Sequence, residues 1–170
     1  MSTIKIYRIL TFILLPFGVL FAMNVINSLL SVFSNPVLLF TTFLLAGVPI
    51  YIFASSKFLF SGIQKAKPCS SKLKEWIKVN AIVSILFAAL MFLASLGAII
   101  VIQNPALITQ AIQQMNAQQK ELVVEMTPHQ MKQFLTIVVA MMLPFSIILV
   151  IHIILSFRLL KIYHYVFDKD

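Results

Sequence analysis

Three long intervals of this sequence, residues 9–56, 79–119 and 133–157, carry no lysine, arginine, aspartate or glutamate. A helix crossing the ~30 Å hydrocarbon core of a bilayer needs ~20 mostly apolar residues, at ~1.5 Å of rise per residue. The last interval therefore fits one crossing. The middle one fits a crossing plus a polar stretch, and the first fits two. Of the 170 residues, 61% are hydrophobic and 11% charged, against about a quarter charged in a soluble domain. Together with a mean hydropathy of +1.01, this excludes a soluble enzyme domain and a disordered tail. The expectation is an all-α integral membrane four-helix bundle, forming a single domain with spans near 9–32, 36–58, 78–102 and 132–157.

Within the first interval, Asn24, Asn27, Ser28, Ser31 and Ser34 thin the apolar run before Asn35-Pro36. Proline pushes the preceding residue out of the α region and suits the first position of a new helix, with asparagine as its cap. Four spans put both termini and the central linker on one side. That side holds eleven of the thirteen basic residues, and the other only Lys120 and Lys132. Short loops rich in Lys and Arg stay cytoplasmic, so both termini are expected there. The apolar run after Lys5 and Arg8 is long and no A-x-A-like site closes it, which favours an uncleaved first helix over a signal peptide. Eleven lysines to two arginines, with abundant Ile and Phe, fit an AT-rich bacterial genome and hence the bacterial cytoplasmic (inner) membrane.

In the third span Ala81, Ser84, Ala88, Ser95 and Ala98 make a stripe of small residues, interrupted by Met91. Helices in lipid associate by close packing and hydrogen bonds, so this face is expected inside the bundle. Pro16, Pro49 and Pro144 fall within spans, where each removes a backbone hydrogen bond and favours bending. Trp76, Tyr7, Tyr163 and Tyr165 read as anchors at the cytoplasmic interface. The lysines around them make a basic rim for anionic lipid headgroups, and no nucleic-acid partner is needed to explain the charge.

The segment 103–131 is the one sizeable loop on the far side. Asn104-Pro105 and Thr127-Pro128-His129-Gln130 read as helix starts, the second with a capping box. Between them Ile108, Ile112, Met115, Gln119, Leu122 and Met126 recur at four- and three-residue spacing, an amphipathic helix over about 105–126. Its seam needs a cover, which could be the bilayer interface, the top of the bundle or the same helix of another copy. The polar face lacks Lys and Arg, which favours docking on the bundle or on a partner protein, with Ile108, Ile112, Met115, Leu122 and Met126 as the candidate interaction face.

Chemistry is sparse. His152 is the single histidine or acid inside a span, and intramembrane ionisable groups are functional candidates by default. Arg158 lies about one and a half turns away, however, so the ring could instead reach the interface. Glu121, Glu125 and His129 share a helical spacing that suits a metal, but Pro128 breaks the helix, and no metal or cofactor is expected. Cys69, the only cysteine, is expected to face solvent. No Gly-rich phosphate loop, G-x-S-x-G, H-E-x-x-H or paired carboxylate is present, so no enzyme is expected. The spans also lack Asp and Glu, which argues against proton-coupled transport. Asn24, Asn27 and Asn80, with Thr41, Thr42, Ser84 and Ser95, would either line a small polar cavity or bond between helices. Two functional readings follow: a non-enzymatic membrane component that binds a partner or itself, and a small channel or carrier for a neutral solute or ion. Ser34-Asn35-Pro36 echoes Gln103-Asn104-Pro105, and Ser56-Lys57-Phe58-Leu59 echoes Ser156-Phe157-Arg158-Leu159, a faint sign of a duplicated hairpin.

Overall fold

A computed structural model describes residues 3–29, 36–118 and 126–167, and among them all regular structure is helical. The helices are α1 (Thr3–Leu29), α2 (Pro36–Lys57), α3 (Ser71–Gln103), α4 (Pro105–Gln118) and α5 (Pro128–Ile162). α2 continues into a wider π-type turn, Phe58–Ile63, and a 3-10 turn, His164–Val166, follows α5. Among the described residues four stretches are long and apolar enough to cross a membrane: Thr3–Leu29, Leu38–Ile63, Ser71–Gln103 and Pro128–Ile162. The chain is a membrane protein on that ground. The helices outrun the expected spans because lysine keeps its rotamer freedom in a helix and can carry its ammonium back to water. α3 accordingly starts at Ser71 and takes Lys72, Lys74 and Lys78 into its first turns. α1, α2 and α5 each run on through their proline. The Asn35 cap lies outside the described residues.

The chain divides into two compact units, Met1–Ala88 with Ile147–Asp170, and Ala89–Ser146. In the first unit α1 buries Tyr7, Thr11, Leu14 and Gly18, a seam at spacings of four, three and four. α5 presents Leu149, His152, Ile153, Ser156 and Leu159, all buried, at the same period. α2 is buried around more of its circumference, at Val48, Tyr51, Ile52, Ser55 and Ser56. A Cβ on Gly18 would stand 3.0 Å from the Ile52 side chain, and one on Gly47 2.5 Å from Val83 Cγ1. Glycine thus sets how closely α2 approaches α1 and α3. Ser84 donates to the Gly47 carbonyl across the α2–α3 approach at 3.3 Å. Outward, Phe12, Met23, Ile82 and Ile154 are each more than half exposed. On helices that bond all their own backbone groups, such side chains are covered by lipid tails.

At one end of this unit the start of α1, the end of α2, the start of α3 and the end of α5 come together. The Cys69 N–H donates to the Val166 carbonyl at 2.9 Å. The Phe58 and Phe167 rings stack at 5.4 Å, and the Lys74 ammonium sits 5.7 Å from the Phe167 centroid. Ala66 adopts the left-handed conformation, φ 49°, that lets the Lys67 N–H return to the Ser61 carbonyl at 3.1 Å and close the helix end.

This arrangement corrects the reading of Cys69 as solvent-facing: it is buried, with Gly62 beside it. A proline-containing linker looked exposed in the sequence, but docking of the 163–167 segment covers it. Burial pushes the thiol up, and Lys57 only partly offsets this. Since the thiolate is the nucleophile, maleimide at neutral pH should label Cys69 at least about tenfold more slowly in intact membranes than after unfolding in SDS. Equal rates would mean the linker is not docked.

In the second unit Asn104 caps α4, its Oδ1 accepting the Ala106 N–H at 3.0 Å. Thr127 and Gln130 form the reciprocal box at the start of α5: the Gln130 N–H reaches Thr127 Oγ1 at 3.3 Å, and the Thr127 N–H reaches Gln130 Oε1 at 2.9 Å. α4 is described only to Gln118, and residues 119–125 of the expected 105–126 helix lie outside the described residues.

Candidate functional site: a buried polar cluster around His152

The cluster begins with a spacing. Thr11 follows Tyr7 by one helical turn on α1, Ser55 follows Tyr51 on α2, and Ser156 follows His152 on α5. Residues four apart share a face, so each helix offers one ring and one hydroxyl to the same side. All six are buried, none more than 1% exposed. The Tyr7 ring stacks on the His152 imidazole, centroids 4.4 Å apart and planes 12° from parallel. The Tyr51 ring meets the imidazole edge-on at 5.6 Å. His152 Nε2 lies 2.9 Å from Thr11 Oγ1, and Nδ1 lies 2.7 Å from the Tyr51 hydroxyl. The Tyr7 hydroxyl stands 3.3 Å from Ser156 Oγ and 3.5 Å from the Ser55 carbonyl.

Proton counting fixes the donors. Thr11 has one hydroxyl proton and gives it to the Tyr7 carbonyl at 2.8 Å. Toward His152 it can then only accept, so Nε2 carries the ring proton. Nδ1 is left as the acceptor, and the Tyr51 O–H donates to it. The Tyr7 hydroxyl donates to the Ser55 carbonyl and accepts from Ser156. The imidazole is a neutral crosslink among α1, α2 and α5. The chain of donors ends on a backbone carbonyl, with no carboxylate to take up a proton. Among the described residues no buried side-chain polar atom lacks a partner. In lipid, where water cannot rescue an unmet polar group, such closure is what makes the cluster tolerable.

Two readings change here. His152 does not reach an interface, because its ring is turned inward under two tyrosines. Tyr7 is not an interfacial anchor but one of those covers; Trp76 and Tyr165, by contrast, are exposed. The sequence singled out His152 but not Tyr7, Thr11, Tyr51, Ser55 or Ser156. The available signal was a hydroxyl one turn after an aromatic or histidine on each of three otherwise apolar spans.

The remaining candidates are dispersed. Asn24 and Asn27 are exposed on α1 and, with Ser28 of the same helix, line a cleft of about 330 Å³ against Thr41 and Thr42 of α2. Asn80 is buried elsewhere, its amide donating to the Trp76 carbonyl at 2.8 Å. Ser84 is spent on Gly47, and Ser95 donates to the Met91 carbonyl of its own helix. Of the two alternatives, a polar cleft holds for the Asn24–Thr42 group, and a bond between helices for Ser84. Along the small-residue stripe Ala81, Ser84, Ala88 and Ser95 are buried and Ala98 is half-buried. On α4 Ile108 is buried and Ile112 and Met115 are half-buried; Met126, expected at the end of that helix, is half-buried but lies in no helix, just before α5, and Leu122 lies outside the described residues. The chain itself covers the first part of that seam. Glu121 and Glu125 also lie outside them, and among the described residues no three His, Cys, Asp or Glu side chains gather as a metal site.

No protein-family model, curated protein or solved structure matches this chain.

Proposed function

We propose that the protein is a non-enzymatic component of the bacterial cytoplasmic membrane that works by associating with protein in the plane of the bilayer. Its termini and the 64–70 linker face the cytoplasm, where the basic rim meets anionic lipid headgroups. The observation that carries this reading is the division of polar groups. Those inside the fold are consumed around His152 or by backbone carbonyls, and the Thr11 hydroxyl beside His152 is already spent on the Tyr7 carbonyl. On α1, Asn24 and Asn27 are exposed on a helix otherwise dressed for lipid, the Asn24 amide donating to the Leu20 carbonyl at 2.9 Å. The gathering of Lys57, Lys65, Lys67, Lys74 and Arg158 at the end where the linker meets the 163–167 segment supports the orientation, because basic loops resist translocation. Association is placed first on the spans, because on α4 Ile108 is already covered while Ile112 and Met115 are half-buried.

A second reading rests on the cleft lined by Asn24, Asn27, Ser28, Thr41 and Thr42: a vestibule for a neutral solute or ion in a small channel or carrier. Photo-crosslinking in native membranes separates the two. Association yields defined, higher-mass adducts from lipid-facing positions. Adducts of monomer mass alone, with solute flux in reconstituted vesicles, would replace the association reading with the vestibule. Accessibility tags at 65–70 and 110–116 should report opposite compartments, and a shared compartment would overturn the topology.

A further inference from the structure

We propose that the groove between α2 and α3 holds one phospholipid with an ammonium-bearing headgroup, its acyl chain against Phe43 and Val83 and its headgroup on Lys72, Glu75 and Trp76. Such a site needs only that α2 and α3 cross the bilayer, and it stands whether or not the chain associates with protein. On α3, Lys72, Trp76, Val79 and Val83 follow one another at four, three and four residues and so share one face. Along it polarity falls in steps, from an ammonium to an indole to two aliphatic side chains. Trp76, Val79 and Val83 line a groove of about 430 Å³ with Ile50 and Phe43 of α2, and Glu75 joins Trp76 at its polar end. Trp76 lies five residues past the start of α3, roughly 8 Å along it, and Val83 roughly 18 Å. Ile50 and Phe43 stand seven and fourteen residues before Lys57 at the end of α2, roughly 10 and 21 Å. The groove thus runs from headgroup depth into a ~30 Å core. On its open side Phe43 and Val79 are each more than half exposed. At that depth there is no water to cover them, and an acyl chain is what the bilayer supplies.

The polar end selects the headgroup. Glu75 is the one carboxylate among the described residues, standing at the end of the unit that gathers the lysines. It is exposed and meets Lys78 through Oε1 at 3.5 Å. An exposed pair of this kind contributes little, so the carboxylate stays open to a second cation. The neighbouring Trp76 ring is more than half exposed, and an indole face attracts a cation. An ammonium set between the two is held by both. Lys72, one turn earlier, has no ion-pair partner among the described residues and takes the phosphate. In an ethanolamine headgroup two carbons separate the phosphate ester from the ammonium. That matches side chains three and four residues apart on a helix, whose Cβ atoms stand about 5–6 Å from each other. A phosphoglycerol headgroup would satisfy Lys72 but leave the carboxylate and the indole unused. It is served as well by Lys57, Lys65 or Arg158 elsewhere on the basic rim.

Trp76 is the only tryptophan of the chain, so its fluorescence reports the groove directly. The test uses the full chain in vesicles of phosphatidylethanolamine and phosphatidylglycerol in equal parts, with bromine on the acyl chains of one lipid at a time as a contact quencher. Quenching should show phosphatidylethanolamine enriched about fivefold over phosphatidylglycerol beside Trp76. Glu75→Gln, a change at an exposed side chain, should bring the preference below about twofold. Lys65→Gln, elsewhere on the rim, should leave it unchanged. Equal quenching by the two lipids, or a preference that survives Glu75→Gln intact, would overturn the inference. So would a preference for phosphatidylglycerol, which would make the groove part of the anionic rim. Quenching by neither lipid would mean that polypeptide covers the groove, and would overturn it as well.

Discussion

His152→Ala should destabilise the protein by about 3–5 kcal/mol, the range of an aromatic-to-alanine change in a packed core. Three losses combine. The cavity and its missing contacts form one. The stacking against Tyr7, worth about 0.5–1.5 kcal/mol where such pairs have been isolated, is a second. The third is the interhelical bonding: hydrogen bonds within membranes average only ~0.6 kcal/mol, with a ceiling near 1.7, but the Tyr51 hydroxyl would also be left buried with no acceptor. Thr11 should hardly suffer, because its proton already belongs to the Tyr7 carbonyl. Hence His152→Asn, whose side-chain carbonyl can take the place of Nδ1 as acceptor for Tyr51, should recover part of the loss. Reversible unfolding of the purified protein in mixed micelles would measure both. Alanine and asparagine variants of equal stability would mean the Tyr51–His152 bond contributes nothing, and the proton assignment would lose its support.

The number of spans was readable from the residues because the rule behind it is severe: a charge in hydrocarbon is expensive, so its absence over 25 or more residues is informative. Helix starts at Asn104 and Thr127 were legible for a similar reason, since capping is local and the partners are two or three residues away. The cluster was not. Thr11 and His152 are 141 residues apart, and Tyr51 and His152 are 101 apart. A lipid-facing helix is apolar on both its inner and outer sides, so the amphipathic contrast that orients a helix in water is missing. Tyr7 shows the consequence. Proximity to Lys5 and Arg8 drew attention to the end of the span it sits at, but the rotation of α1, which turns it onto His152, left a trace only in the four-three-four spacing to Thr11, Leu14 and Gly18. Cys69 failed for a different reason: its cover comes from the opposite end of the sequence.

Gly47 and Gly97 should respond to alanine with opposite signs. In an exposed helix interior the change gains about 1 kcal/mol of helix propensity. Nothing stands within 4 Å of a Cβ placed on Gly97, so that gain should appear nearly in full. At Gly47 the same atom would fall 2.5 Å from Val83 Cγ1 and 2.9 Å from Val83 Cβ. Valine is stiff at χ1, and its Cβ cannot move without its backbone, so α2 and α3 must part. That sacrifices the Ser84 bond to the Gly47 carbonyl and adds an overpacking cost of about 1–3 kcal/mol. The cost exceeds the propensity gain over most of that range, and Gly47→Leu, with three more carbons to place, lies beyond it. Midpoints of thermal unfolding in detergent should therefore fall for Gly47→Ala, fall further for Gly47→Leu and rise for Gly97→Ala. Trimming the obstacle supplies the decisive control: against a Val83→Ala background, Gly47→Ala should cost little or become favourable. Equal losses with and without Val83 would mean that α2 and α3 do not meet at this glycine.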